Sequence, residues 1–331
     1  MPELYQAPHR GATHADLLSE ENYAQQMEET VEPLLKGLRH KGFLTIVRGR
    51  RIHYEYYLCA DPVGAVVLCH GFTESAEKYR EMIYYFLGAG YSVFAPDLRG
   101  HGKSYRGQKN HTLIHVNRFR DYTDDLDRFL QRIVRPNAVN LPLYLYGHSM
   151  GGAVGALYLS QHPITFRKAV LSAPMIAPKT ANLPPWLARW ITFAMCLAGK
   201  GTDPVLRQRS VERDTAPSEE EFPPRFSYYH QKKLRHRHLQ TSLATYRWLF
   251  QALCTTDALL KRSNCERVQA TVLLFQAEND TYVHNKHQDL YLSRIPHGEM
   301  VRIPESGHGL PTAENEILQP YVDRILSFFS K

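Results

Sequence analysis

Long apolar runs are missing from this 331-residue sequence. A membrane-spanning helix needs about 18 or more consecutive apolar residues, and even the most apolar stretch, residues 184–199, is interrupted by Arg189. The first 22 residues carry acidic and polar side chains, where a secretory signal has a basic start and then an apolar segment. We therefore expect a protein that is not exported and is cytoplasmic. Any membrane contact is expected to be peripheral, at the inner face.

Cysteine is scarce and shows no useful spacing. The chain has five cysteines, an odd number, with no Cys-x-x-Cys pair and no Cys/His pattern typical of a zinc site. Reduced thiols are therefore expected, and no metal site. The glycines match neither a phosphate-binding P-loop nor a dinucleotide-binding fingerprint, so no cofactor is expected. The cysteines are Cys59, Cys69, Cys196, Cys254 and Cys265.

The composition is that of an ordinary globular protein. With 43% hydrophobic and 22% charged residues, the chain can build a sizeable core. Its net charge of +7 allows attraction to anionic phosphate surfaces, whether lipid or nucleic acid. Nucleic acid is not expected as a partner, because no recognised binding module accompanies the charge. The composition leaves the oligomeric state open.

Short apolar runs alternate with segments of helical spacing along most of the chain. This alternation predicts an α/β fold with a mainly parallel central sheet, helices on both faces, and ligands at the carboxyl ends of the strands. The runs predicted as buried strands are 65–69, 91–95, 143–146, 169–172, 271–275 and 300–303.

One region breaks the alternation. Residues 178–253 contain proline pairs, two tryptophans, a basic stretch and no clear strand, which predicts an inserted, mostly helical cap. The core would then have two parts: residues 1–177, with an N-terminal helix over 23–38, and residues 254–331.

The segment with the strongest chemical signal is Gly147-His148-Ser149-Met150-Gly151. It lies between a predicted strand and a helical pattern over 153–159, the strand, sharp turn and helix that a nucleophilic serine of this type requires. Small residues flank Ser149 because the turn brings backbone segments close together. We predict that Ser149 is the nucleophile, and that the amide of Met150 faces the site of a developing oxyanion.

A serine hydroxyl needs a histidine base and a carboxylate that orients the histidine. In chain order the acid should come first, then the histidine. Asp280 follows the predicted strand 271–275 and is the preferred acid, whereas Glu278 in the same loop is the alternative. Asp289 is less suitable because it falls in the next helix. His308 follows the predicted strand 300–303 and is the preferred base.

Further candidates for the site lie in a loop and in the predicted cap. The loop after the strand 65–69 offers the amide of Phe72 as a second oxyanion donor. His70 precedes the nucleophile in the chain, so it is expected to shape this loop rather than to act as a base. The candidate substrate-binding residues are His70, His148, Trp186 and Trp190.

These motifs resemble those of the α/β-hydrolase superfamily, and within it the bacterial lysophospholipase and monoacylglycerol lipase branch. The likeness spans about residues 45–331, and it implies a single-chain lipid ester as substrate. It also implies the same roles for Ser149, Asp280 and His308, and for the amides of Phe72 and Met150. The motifs that carry it are His70-Gly71, residues 97–104 (DLRGHGKS), the elbow 147–152, residues 115–119 (HVNRF) with 121–126 (DYTDDL), residues 172–175 (SAPM) and residues 273–278 (LLFQAE).

Several alternatives stay open at this level. The basic stretch 231–238 is either a solvated charged face or a contact for the phosphates of an anionic membrane. The enzyme is either a lipid esterase, a small-molecule carboxylesterase or an acyltransferase. A non-catalytic binding protein of the same fold is a further alternative, against which the complete set of serine, acid and histidine argues. Headgroup and acyl-chain length are not indicated.

Overall fold

The central sheet has eight strands in the order β1-β2-β4-β3-β6-β7-β9-β10. A computed structural model describes residues 4–47, 49–181, 183–205 and 223–331 of the chain. Strands β1 and β2 form an antiparallel pair and β2 joins β4 antiparallel, while every other pairing in this sheet is parallel. The strands of this sheet are β1 (His40–Val47), β2 (Arg50–Tyr57), β3 (Gly64–Cys69), β4 (Tyr91–Pro96), β6 (Leu143–His148), β7 (Lys168–Ser172), β9 (Thr271–Ala277) and β10 (Gly298–Ile303).

Helices cover both faces of this sheet, as the alternation of side chains along its strands shows. Neighbouring residues of β3, Val66 and Val67, belong to different buried clusters, and so do Leu145 and Tyr146 of β6. Successive side chains of a strand point to opposite faces, so the two clusters lie on the two sides of the sheet. The predicted α/β class with a mainly parallel sheet is confirmed.

Helices follow most strands along the chain, as the alternation predicted. The segment predicted as helical over 23–38 consists of α1, one π-helical turn (Met27–Val31) and α2. The helices are α1 (Tyr23–Gln26), α2 (Glu32–Leu38), α3 (Arg80–Gly88), α4 (Arg120–Phe129), α5 (Arg135–Asn137), α6 (Met150–Gln161), α7 (Pro185–Leu197), α8 (Pro223–Arg235), α9 (Tyr246–Leu260), α10 (Arg262–Cys265), α11 (Asn285–Leu292) and α12 (Asn315–Ser330).

All six strands predicted from apolar runs are present, each longer by one or a few residues. Strands β1 and β2 were not among the predicted strands: polar residues interrupt β2, and the apolar residues Phe43 and Val47 of β1 are exposed. In β1 half-buried and exposed residues alternate along its whole length. A strand at the edge of a sheet, covered on one face only, has this period-two pattern instead of a continuous apolar run.

Between β7 and β9 the chain makes a long excursion that includes α7, α8 and α9. Helix α9 runs without interruption across position 253, where the sequence placed the end of the cap. The region predicted to lack a clear strand includes, in its described part, the two-residue strand β8 (Leu243–Ala244), which pairs in parallel with β5 (Leu113–Ile114). Part of the predicted cap, residues 206–222, lies outside the described residues.

The structure adds three observations on membranes, thiols and metals. Among the described ranges, no helix is long and apolar enough to cross a membrane. All five cysteines are free thiols, and burial raises the pKa of Cys69 to about 12. In the part of the chain that the structure describes, no group of three or more His, Cys, Asp or Glu side chains could hold a metal ion.

Candidate active site

Ser149 sits in the sharp turn between β6 and α6. Its backbone has φ 51° and ψ −117°, a region that L residues rarely adopt and that costs about 1–3 kcal/mol. Two bonds to the neighbouring strand end hold this conformation: the Ser149 amide donates to the Ser172 carbonyl (2.9 Å), and the Met175 amide donates to the Ser149 carbonyl (2.9 Å). The turn therefore presents the hydroxyl at the carboxyl end of β6.

The glycines of this turn are required by close backbone contacts. A Cβ atom on Gly151 would lie 2.1 Å from the Cys69 carbonyl oxygen, and one on Gly147 would lie 2.8 Å from the Gly151 carbonyl oxygen. Backbone atoms cannot move aside as a flexible side chain can. The turn and the loop after β3 are therefore packed directly against each other.

We expect Gly151→Ala to lower the free energy of unfolding by roughly 3 kcal/mol or more, because the added methyl group would overlap the backbone of β3. The matched control is Gly37→Ala in α2. A Cβ atom on Gly37 has no neighbour within 4 Å, so alanine there should be neutral or slightly stabilising. Urea unfolding of both variants measures the difference. Equal stability of the two would contradict the packing described here.

His308 and Asp280 lie beside Ser149 in hydrogen-bonding geometry. The Ser149 hydroxyl is 2.7 Å from His308 Nε2, and His308 Nδ1 is 2.6 Å from Asp280 Oδ2. Asp280 follows β9 and His308 follows β10, so neighbouring strands deliver both groups to the edge where β6 presents Ser149. With a proton on Nδ1 donated to Asp280, Nε2 is left to accept the serine proton.

The Asp280 carboxylate is completely buried and fully engaged. Its Oδ1 accepts the amides of Tyr282 (2.8 Å) and Val283 (2.9 Å), while Oδ2 faces His308. Burial by itself would raise the pKa of Asp280, but the bonds from His308 and the two amides outweigh burial and lower it. Asp280 is therefore an ionised carboxylate at neutral pH, held in one orientation.

The alternative acids have other partners. The carboxylate of Glu278 accepts the amide of Glu305 (2.9 Å). Asp289 accepts bonds from Gln276 (3.1 Å) in β9 and from Arg302 (3.2 Å) in β10. Of the three candidates, the structure brings Asp280 to His308.

The loop after β3 lies against the serine and is held by a buried carboxylate. A Cβ atom on Gly71 would be 3.2 Å from the Ser149 Cβ atom. Glu74 accepts the Gly71 amide (2.6 Å), the Tyr79 hydroxyl (2.6 Å) and the Lys78 ammonium group (3.0 Å). Burial would raise the pKa of Glu74, but Lys78 and Tyr79 outweigh burial and lower it well below its usual range.

The two predicted oxyanion donors flank the serine in this arrangement. Phe72 follows Gly71 in the loop and lines the same cavity as Ser149 and His308. Its ring packs against Trp248, with 4.2 Å between ring centroids. Met150 is the first residue of α6, where backbone amides point out of the helix end.

His70 is completely buried and does not line this cavity. Its Nε2 accepts the Leu98 amide (2.9 Å) and its Nδ1 donates to the Gly71 carbonyl (2.8 Å). Burial lowers the pKa of His70, so the ring is neutral and both nitrogens are occupied. These bonds tie the loop after β3 to the loop after β4.

The loop after β4 is braced by buried charges. Asp97 accepts the amides of Ala76 and Lys103 (3.0 Å each) together with His53 Nδ1 (2.9 Å). Arg99 binds Asp125 through two bonds of 2.7 Å. This glycine-containing segment therefore supports the loop that carries Phe72.

The cavity above Ser149 has a volume of about 330 Å³ and is lined by both core and cap. His148 lies in its wall, 5.0 Å from His308 between ring centroids. Burial lowers the pKa of His148 to about 3, which keeps this ring neutral at neutral pH. The apolar or aromatic residues of the lining are Phe72, Met175, Pro178, Phe226, Tyr229, Trp248, Leu249, Tyr282 and Val283.

Trp186 and Trp190 do not line the serine cavity. Both are 65% exposed on α7, where they border a second cavity of about 580 Å³. Pro178 contributes to the walls of both cavities, so the two adjoin at this residue. The tryptophans therefore lie beside the site rather than in it.

The basic stretch 231–238 is divided among three environments. Lys232 forms an ion pair with Glu32, and Lys233 is buried in the wall of the serine cavity. The remaining basic side chains, Arg235, His236, Arg237 and His238, line a shallow cavity together with Arg106 and His111.

Glu74 and the α8 residues Phe226, Tyr229 and His230 were not singled out from the sequence. Glu74 follows Gly71 by three residues in the same loop, a spacing that allows a side chain to bond back to a backbone amide. No comparable local signal marks Phe226, Tyr229 or His230. Their position in the cavity wall depends on how α8 packs.

Comparison with known proteins gives three findings. A family model described as serine aminopeptidase, S33, matches residues 60–316. Lysophospholipase L2 of Escherichia coli is 41% identical over 126 residues, 38% of this chain and 36% of that protein. Monoacylglycerol lipase of Mycolicibacterium smegmatis is 37% identical over 131 residues, 39% of this chain and 45% of that protein. The aligned part thus spans less than half of either relative.

A solved structure has the same fold over most of the chain. It is a soluble variant of monoglyceride lipase from Saccharomyces cerevisiae in complex with a substrate analogue, with a TM-score of 0.70 and 17% identity. The superposition covers 87% of this chain and 93% of that one. At this identity the likeness speaks for the fold alone.

Proposed function

Because the chain belongs to the serine aminopeptidase, S33, family of α/β-hydrolases, we propose that it is a serine esterase that hydrolyses single-chain lipid esters. The observation that carries the proposal is the continuous hydrogen-bonded series from Ser149 through His308 to Asp280, with spacings of 2.7 and 2.6 Å. Each group is within the distance that proton transfer requires.

In the proposed reaction His308 Nε2 takes the proton of Ser149 as the serine oxygen attacks the ester carbonyl carbon. The amides of Phe72 and Met150 donate to the oxyanion of the tetrahedral intermediate, and Asp280 stabilises the imidazolium ion. The intermediate collapses when His308 returns the proton to the leaving alcohol, which leaves an acyl-enzyme. Water, deprotonated by His308, then releases the fatty acid and regenerates the serine.

The lining of the cavity supports a lipid substrate. Most of the wall around Ser149 is apolar or aromatic, as an acyl chain requires. The relatives named lysophospholipase and monoacylglycerol lipase support a single-chain ester. Exposed apolar residues on α7, beside the adjoining cavity, provide further surface for a long chain.

The charged groups of the lining argue against a peptide substrate, although the family description names an aminopeptidase. A free peptide amino group needs an acceptor for its positive charge. The cavity wall includes Lys78, Lys179 and Lys233, whereas the carboxylate in it, Glu74, is already bound by Lys78, Tyr79 and the Gly71 amide. The charge balance therefore favours an uncharged or anionic ligand.

A hydrolysis panel tests the proposal. It contains lysophosphatidylcholine, lysophosphatidylethanolamine, monoacylglycerol, p-nitrophenyl acetate and an amino-acid p-nitroanilide. We expect kcat/KM for the long-chain monoesters to exceed that for the acetate and to be negligible for the anilide. Addition of an alcohol acceptor separates hydrolysis from acyl transfer by the ratio of free acid to new ester. Cleavage of the anilide alone, or of nothing while a fluorophosphonate fails to label Ser149, would overturn the proposal.

A further inference from the structure

The N-terminal segment, residues 18–38, contacts the cap helix that forms one wall of the serine cavity. This segment lies outside residues 60–316, the part that the family model matches. Resting on the proposed function, we infer that residues 18–38 position α8 and thereby determine which lipid esters reach Ser149. Residues 18–38 then affect which esters bind and not the rate of the chemical step.

Helix α8 has two functional faces. Arg225, Tyr228 and Lys232 follow one another at intervals of three and four residues, and their side chains contact the N-terminal segment. Phe226, Tyr229 and Lys233, each one position later, line the serine cavity together with His230, and Arg225 itself also reaches the cavity wall. In an α-helix residues at such intervals share a face. A movement of the first face therefore moves the cavity wall.

A single buried carboxylate connects the N-terminal segment, the core and the cap. Glu81 of α3 accepts the hydroxyl of Tyr23 (3.0 Å) from the segment and that of Tyr85 (2.7 Å) from the core. It also accepts Arg225 Nε (3.0 Å) and Nη2 (2.9 Å) from α8. The Arg225 side chain is 0% exposed and lies against the Tyr23 ring, 5.0 Å from its centroid.

Arg225 also reaches the chain that follows His308. Its Nη1 donates to the Ala313 carbonyl (3.0 Å) and its Nη2 to Asn315 Oδ1 (2.7 Å). The Asn315 amide group in turn donates to the Leu18 carbonyl of the N-terminal segment (3.0 Å). The position of α8 is therefore fixed relative to the loop of His308 as well as to the segment.

Two further contacts join the N-terminal segment to α8. The rings of Tyr23 and Tyr228 meet edge to face, with 5.9 Å between centroids. Lys232 forms an ion pair with Glu32, and both side chains are partly exposed. Neither Glu32 nor Lys232 lines the serine cavity. This pair can be altered without touching the site.

The reacting groups belong neither to α8 nor to residues 18–38. Ser149, Asp280 and His308 are held by the turns after β6, β9 and β10 and by bonds within the core. Loosening α8 should therefore leave attack on a small ester unchanged. A long-chain ester needs the complete wall. If a variant lowers the fraction of molecules in which α8 is correctly positioned, KM for this ester should rise by the same factor.

The test uses charge reversal in the full chain. The variants are Glu32→Lys, Lys232→Glu and the double exchange, with Glu29→Lys as matched control because Glu29 bonds Gln25 of its own segment (3.1 Å). Each single exchange should raise KM for a long-chain monoacylglycerol by about threefold, the size of a partly exposed ion pair. The double exchange should restore KM. For all variants kcat for p-nitrophenyl acetate should stay within about twofold of wild type.

Glu81→Gln gives the larger expected effect. Loss of the charge that faces Arg225 should raise KM for the long-chain ester by about tenfold, again with little change toward the acetate. Unchanged KM in the single charge reversals would overturn the inference, as would an equal loss of activity toward both esters. If Glu81→Gln does not fold, the charge exchange decides alone. Activity toward the acetate keeps this outcome separate from failure of the proposed function.

Discussion

Replacement of Ser149 by alanine is expected to lower kcat for ester hydrolysis by roughly a millionfold, the scale known for serine nucleophiles in such triads. The reason is that the Ser149 hydroxyl stands 2.7 Å from His308 Nε2, and alanine has no hydroxyl to attack the ester from this position. The variant should fold normally, because the backbone bonds that hold the turn do not involve the hydroxyl. Steady-state hydrolysis of a p-nitrophenyl ester and fluorophosphonate labelling measure the loss.

The matched control is Ser160→Ala in α6, the helix that begins directly after Ser149. The Ser160 hydroxyl donates to the Leu157 carbonyl of its own helix (2.8 Å), away from the site, so activity and labelling should be retained. His308→Ala should reduce kcat to about the level of Ser149→Ala, and the double variant should be no worse, because the two groups act as a unit. Near-normal activity of either single variant would contradict the assignment.

The second large effect concerns the choice between two acids in one loop. Asp280→Asn should lower kcat by about 10⁴-fold, because an amide at this position favours the wrong tautomer of His308 and cannot stabilise its cation. The geometric reason is the 2.6 Å contact between Asp280 Oδ2 and His308 Nδ1. Glu278→Gln is the matched control and should retain most of its activity, since Glu278 binds the Glu305 amide instead.

The activities of Asp280→Asn and Glu278→Gln are best compared in the neutral pH range. Because the pKa of Asp280 lies below its ordinary value, the wild-type carboxylate is ionised throughout this range. Titration of the acid should therefore contribute no inflection of kcat/KM near neutrality. Activity that survives in Asp280→Asn but is lost in Glu278→Gln would reverse the assignment of the acid.

The physical basis of both predictions is pre-organisation. Asp280 is held by two amides, the loop carrying Phe72 by Glu74, and the turn of Ser149 by backbone bonds to the end of β7 and the residue Met175 beyond it. None of these groups has to move for the serine proton to reach His308. Groups fixed in this way stabilise a transition state without the cost of reorganisation.

The sequence by itself determined the features that depend on neighbours in the chain. The buried strands of the parallel sheet were recognisable from continuous apolar runs, and the turn at Ser149 from glycines that no other residue can replace. The order of acid and histidine pointed to the loops after β9 and β10. Strand β1 was missed because an edge strand that is covered on one face alternates between covered and exposed residues. Strand β2, the second in the sheet, was missed because polar residues such as the buried His53 and Glu55 interrupt its apolar ones.

Only the tertiary structure decided which side chains meet across long separations. The sequence favoured Asp280 over Glu278 but left both open, and the fold of their loop brings Asp280 to His308. The pairing of Arg225 with Glu81 joins residues 144 positions apart, and it places one face of α8 against the N-terminal segment and the other over Ser149. Local patterns encode backbone conformation and burial, whereas the partner of a buried charge is determined by the packing of distant segments. For this protein the serine turn is therefore recognisable from the sequence, while the cavity above it depends on how the cap packs on the core.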